Sequence, residues 1–177
     1  LDNGHNSIKV FDLDFNFLHE LAAPNFFKNP NYGELVSIVV DQYSDTVDFA
    51  RGYILSSKGR IFSYDITNNK INPPTSLYDY YDTRVNILSF KKIVNSKLKK
   101  NVLYVCNRGR IYKYYKTNLK TYIAELDMSE GFNINIGRKE NEAEILSFDT
   151  TLHNGKEYIA VTITSAGKNA VSTLIYI

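Results

Sequence analysis

The chain has 177 residues, a formal net charge of +2, 44% hydrophobic and 14% aromatic residues, 9 Gly and 4 Pro. That length suits one domain with its own core, and that composition excludes the disordered, collagen-like and low-complexity classes. The 14 Tyr and 10 Phe, with many Ile and Val, are residues of pleated, half-buried surfaces, so the expected class is all-β.

In chain order the sequence divides into units of short apolar strands joined by turns. The first unit, about 1–21, ends one strand at Phe11-Asp12, turns through Asp12-Leu13-Asp14 and continues in Phe15-Asn16-Phe17-Leu18. The second, 36–72, opens with Ser37-Ile38-Val39-Val40, crosses an Asp- and Ser-rich loop and enters Tyr53-Ile54-Leu55. A Lys58-Gly59 turn leads it into Gly59-Arg60-Ile61-Phe62-Ser63-Tyr64, and Thr67-Asn68-Asn69 turns it into Lys70-Ile71. The third, 85–126, repeats the order: Ile87-Leu88-Ser89-Phe90, a lysine-rich loop from Lys91 to Lys100, then Val102-Leu103-Tyr104-Val105. It continues through an Arg108-Gly109 turn into Gly109-Arg110-Ile111-Tyr112-Lys113-Tyr114, then Thr117-Asn118 and Thr121-Tyr122-Ile123-Ala124. The fourth, 143–177, begins with Ile145-Leu146-Ser147-Phe148, places His153 in a loop and adds two further strands.

The Gly-Arg-Ile-aromatic-x-Tyr segment at Gly59 recurs 50 positions later at Gly109, each time after an apolar strand. Glycine there supplies the positive φ of a tight hairpin turn, and the Asp- and Asn-rich turns that follow hydrogen-bond their own backbone. A repeated four-stranded antiparallel unit of about 40 to 50 residues is the mark of propeller blades. On these residues nearly the whole chain resembles the WD40-like β-propellers. It departs from them in having no Trp; Phe11-Asp12 and Tyr64-Asp65 stand where the Trp-Asp dipeptide would. The resemblance implies four-stranded antiparallel blades within a single propeller segment. With two, four, four and three strands expected, the ring is incomplete, since closure takes at least four blades. The start at Leu1 suggests a piece of a longer protein, and open strand edges imply a partner.

Charge is uneven along the chain. From Thr83 to Ala124 there is no acidic residue, yet eleven of the 21 basic residues fall there. Such a segment attracts an acidic protein surface or phosphates. The expected contact residues are Lys91, Lys92, Lys97, Lys99 and Lys100 in one loop, with Arg108 and Arg110 at the opposite end of the unit. Nucleic acid or an anionic lipid are the alternative partners of this basic unit, and Tyr112, Tyr114 and Tyr115 interleave with Arg110, Lys113 and Lys116 as in a surface that stacks bases while holding phosphates. Strand alternation nevertheless puts Tyr112 and Tyr114 on one face, where they pack between units.

Among catalytic readings, only a propeller-fold hydrolase or lyase finds material, in Asp41, Asp45 and Asp48. A polar loop explains those three more cheaply, and Glu140, Glu142 and Glu144 read as a solvated connection. His5, His19 and His153 have no metal-ligand spacing, and no cofactor is expected. Cys106 cannot form an internal disulfide and reads as a small buried hydrophobe, which points to a reducing compartment, cytoplasmic or nuclear. No apolar run reaches the roughly 18 residues of a membrane span. The expected function is a non-catalytic protein-protein interaction scaffold within a larger intracellular complex, its basic unit contacting an acidic partner.

Overall fold

The computed structural model describes residues 7–21, 29–41, 51–65, 68, 70–77, 90–107, 110–127, 143–165 and 168–176. Its strands are β1 (Ile8–Phe11), β2 (Phe17–Leu21), β3 (Leu35–Val40), β4 (Arg51–Ser56), β5 (Arg60–Asp65), β6 (Lys70–Ile71) and β7 (Thr75–Ser76). They continue as β8 (Lys92–Asn95), β9 (Val102–Cys106), β10 (Arg110–Tyr115), β11 (Asn118–Asp127), β12 (Ala143–His153), β13 (Lys156–Ser165) and β14 (Lys168–Tyr176). No helix occurs among the described residues, so none long and apolar enough to cross a membrane is present among them. The protein is all-β.

Every strand but β7 pairs antiparallel with its sequence neighbour inside four sheets: β1-β2, β3-β4-β5-β6 with β7 added on β5, β8-β9-β10-β11 and β12-β13-β14. The outer edge of β5 holds two short pieces, β6 opposite Tyr64 and Asp65 and β7 opposite Arg60 and Ile61. Pro73 and Pro74 stand between them, and proline has no N–H for the ladder, so this edge stays short and broken.

Alternation sends successive side chains to opposite faces, and in the two middle sheets both faces are apolar. On β9, Leu103 and Val105 join Tyr53, Leu55, Ile61, Leu77, Phe90, Ile93, Tyr112 and Tyr114 in one buried cluster. Val102, Tyr104 and Cys106 point the other way, into a cluster with Val94, Ile111, Ile145, Phe148, Ile159, Val161 and Ile163. A further cluster of Ile8, Leu21, Leu35, Ile54, Phe62 and Tyr64 joins the first sheet to the second. The sheets are therefore stacked in chain order. Tyr112 and Tyr114 are buried between sheets as alternation predicts, the Tyr114 hydroxyl donating to the Leu77 carbonyl at 2.6 Å.

The leading strands meet edge to edge, with β8 between β3 and β12. Side chains join them: Ile93 N donates to Ser37 Oγ (3.2 Å), Asn95 Nδ2 to the Val40 carbonyl (3.0 Å) and Thr150 Oγ1 to the Asn95 carbonyl (3.0 Å).

Three sequence expectations are corrected. The strand expected at Ile87–Phe90 has its first three residues outside the described part, and Phe90 is not in a strand; the leading strand of the third sheet is β8, at Lys92–Asn95. Lys92 is consequently a strand residue and not a loop residue as expected, while Lys91 immediately precedes the strand. His153 lies in β12, which runs on to an Asn154-Gly155 turn with φ of 50° and 71°, a pair whose twist matches a two-residue hairpin.

Phe90 instead seats on the β4–β5 turn. Its amide donates to the Ser57 carbonyl at 2.9 Å, and a Cβ on Gly59 (φ +69°) would come within 2.5 Å of its ring. The two aromatic-Asp dipeptides act as turn caps. Asp12 Oδ1 accepts from the amides of Asp14 (2.9 Å) and Asn16 (2.8 Å), and Asp65 Oδ1 accepts from that of Asn68 (3.0 Å). The hydrogen bonds from Asn16 hold the Asp12 carboxyl below its ordinary value.

Gly59→Ala is expected to lower the unfolding free energy by roughly 2–5 kcal/mol, combining a left-handed backbone with an overpacked Phe90. Gly155→Ala shares the positive φ but meets nothing within 4 Å, and costs about 1 kcal/mol. Urea titrations compare the two; equal losses would remove Phe90 from the account.

Candidate functional site

The basic residues singled out in the sequence separate into two groups. Lys97, Lys99 and Lys100 are exposed in the turn from β8 to β9. Lys91, Lys92 and Arg110 lie at the other end of β9, where Lys92 is in register with Cys106 and the Lys91 amide donates to the Cys106 carbonyl at 3.0 Å. A strand of that length separates the groups by about 17 Å. Arg108 is outside the described residues.

Lys91 and Lys92 are half-buried and reach across to β12. Their ammonium groups donate to the Ile145 carbonyl and to Ser147 Oγ, each at 3.2 Å. Arg110 is half-buried, its backbone paired with Asn107: its amide donates to Asn107 Oδ1 at 2.9 Å, and its carbonyl accepts from the Asn107 amide at 3.0 Å. At this end Lys91 and Lys92 spend their charges on holding two sheets together, and the Arg110 backbone closes the turn with Asn107.

The Lys97–Lys100 turn is built differently. Ser96, buried at the end of β8, accepts on Oγ from the amides of Leu98 (3.2 Å) and Lys99 (2.9 Å), the local bonding by which serine shapes a turn. Ser96 Oγ itself donates to Glu157 Oε2 at 2.8 Å. Glu157 projects from β13 and is only 3% exposed. Its Oε1 accepts from the amides of Lys97 (2.5 Å) and Leu98 (3.4 Å), and Oε2 also accepts from the Tyr104 hydroxyl at 2.9 Å. Burying a carboxylate is tolerable only with such a set of donors. Burial, and then Glu157 itself, pushes the Tyr104 phenol well above its ordinary value. The outcome is a basic turn whose backbone is clamped by the neighbouring sheet while its three lysines are exposed.

Asp41, the first of the three expected carboxylates, forms an ion pair with Lys116, and both side chains are largely buried. The Lys116 ammonium also sits 5.8 Å from the centre of the Tyr53 ring. Asp45, Asp48, Glu140, Glu142 and His5 are outside the described residues. His19 is exposed on β2, and His153 meets the Tyr158 ring edge-on at 6.4 Å. Among the described residues no group of three or more His, Cys, Asp or Glu could hold a metal ion. Cys106 is fully buried, and burial pushes its thiol up to about 11.

Sequence reasoning missed Glu157. A lone Glu following Lys156 reads as solvated, and only the Asn154-Gly155 turn signal, flanked by alternating strands, could have set the register that points it inward. The chain matches no family model and no curated protein.

Glu157→Gln turns an acceptor set into a mismatched amide and is expected to cost about 2–4 kcal/mol, while Tyr104→Phe removes one donor for about 1–2 kcal/mol. Denaturant titration measures both, and faster exchange of the Lys97 and Leu98 amides should accompany the first. A second expectation concerns pH. Because the folded state holds the Cys106 thiol at about 11 against an ordinary 9.0, the unfolded chain releases that proton first. This contribution is therefore fully present below about pH 9 and is lost as pH rises toward about 11, amounting to roughly 3 kcal/mol. Stability measured across that range should fall less steeply in Cys106→Ala than in the wild type.

Proposed function

We propose that this chain is a non-catalytic protein-interaction scaffold, a segment of a WD40-like β-propeller, whose Lys97–Lys100 turn contacts an acidic partner within an intracellular complex. The observation that carries the reading is the turn itself: three lysines exposed on a backbone that a buried carboxylate fixes in place. A fixed backbone lowers the ordering cost of binding, and clustered like charges speed encounter with an opposite surface.

The propeller part of the reading draws on antiparallel sheets that follow chain order, pack face to face and bring their leading strands β3, β8 and β12 together. Blades around an axis have this local arrangement. The scaffold part is favoured over a hydrolase or lyase because Asp41 is neutralised by Lys116 rather than offered to a substrate. Lys91 and Lys92 serve the framework in this reading and Arg110 lies with them at the far end of β9, so Lys97, Lys99 and Lys100 are the contact residues.

Replacing Lys97, Lys99 and Lys100 together by Glu is expected to weaken binding to immobilised polyglutamate at least tenfold and to flatten its dependence on salt. Interferometry across a salt series measures both. Unchanged affinity in a variant that still folds would end the proposal.

A further inference from the structure

The Lys97–Lys100 turn does not stand alone. Glu157 lies directly opposite Leu152 in the β12–β13 ladder, and residues opposite one another share a face. That face is the one buried against the third sheet, and along β12 it carries Phe148 (2% exposed), Thr150 (6%) and then Leu152 (46%). The row thus runs out of the core into solvent beside the carboxylate that clamps the turn. On the turn, Leu98 is 48% exposed, and its amide points at the same Glu157 Oε1. Two half-exposed leucines therefore flank one buried carboxylate, and three exposed lysines share the turn with Leu98. Residues 95–102 and 150–157 contain no carboxylate except Glu157, whose charge is spent on internal donors.

We infer that this notch between the β8–β9 turn and the β12–β13 hairpin receives an acidic protein segment that also carries large apolar side chains. The lysines meet its carboxylates, and Leu98 and Leu152 cover an apolar side chain inserted between them. The inference rests on the reading given under Proposed function and names the chemistry of the partner. Charge complementarity alone suits a polyphosphate equally well, but a phosphate backbone has nothing to bury against aliphatic leucines, whereas an amphipathic acidic segment gains from both. A nucleic acid would engage the lysines and stack a base on Tyr115, which is 41% exposed and in register with Val102. Its affinity would not depend on the leucines.

The test uses fluorescence anisotropy with three probes: a short peptide of glutamates interspersed with leucines, the same peptide with serines for leucines, and a short single-stranded oligothymidine. The proteins are the wild type, Leu98→Ser, Leu152→Ser, their double variant, and the triple lysine-to-glutamate variant, each checked for an unchanged melting transition. Both leucines are half-exposed, so these variants should fold. The expected result is that the wild type prefers the leucine peptide over the serine peptide by roughly tenfold. Each single leucine variant should lose about fivefold for that peptide only, and the double variant should show no preference. If both peptides bind equally and only the lysine reversals weaken them, the notch is overturned while the basic turn stands. If the oligothymidine binds at least as tightly as the leucine peptide and is indifferent to the leucine variants, the partner class is wrong. If no peptide binds the wild type, the basic-turn reading falls and takes this inference with it.

Discussion

The structure turns on a strand with no exposed face. All five residues of β9, Val102 to Cys106, are buried, and their alternation hands Leu103 and Val105 to one neighbouring sheet and Val102, Tyr104 and Cys106 to the other. A sheet apolar on both sides must be covered on both sides, and here the covers are the sheets before and after it in the chain. Stacking in chain order follows from that requirement. So does the position of the Glu157 and Asp41–Lys116 charges, which sit where strands end and turns begin.

At those ends the sheets are sewn together by side chains rather than by a shared ladder. Ser37, Asn95 and Thr150 link the leading strands along their length, Lys91 and Lys92 at one end, and the Asp41–Lys116 pair binds the second sheet to the third at the other. Glu157 performs the same service between the third sheet and the fourth, with the difference that its partners belong to an exposed turn. One buried charge thus does two things. It completes the packing of β13 on β9 through Tyr104, and it presents lysines in a fixed arrangement.

The sequence carried the hairpins because each rests on a local signal: period-2 alternation on either side of a glycine turn, repeated at Gly59 and Gly109. It misdirected at Phe90, which ends the segment that repeats the spelling of Ile145–Phe148 but is not itself in a strand. Phe90 is drawn out of any strand by the space over Gly59, a tertiary fact with no local mark. Lys92-Ile93-Val94-Asn95 reads as loop because a strand flanked by lysines looks solvated, although Lys92 spans to Ser147. The basic turn was legible from its lysines alone. Its clamp was not, since the meaning of Glu157 depends on residues some sixty positions away.

The chain-order stacking also bears on how the molecule is made. Apart from the short β5–β7 contact, every pairing within a sheet joins consecutive strands, so hairpins can close as soon as their second strand is available, without long-range search. The middle sheets nevertheless remain half-covered until the next one arrives, because one of their apolar faces belongs to residues not yet in place. The third sheet, with Cys106, Ile111 and Tyr104 facing β12 and β13, is left with a sticky surface until the fourth docks. Assembly is therefore local in its pairing and sequential in its protection. The interval before the fourth sheet closes is when a nascent chain is most exposed to aggregation.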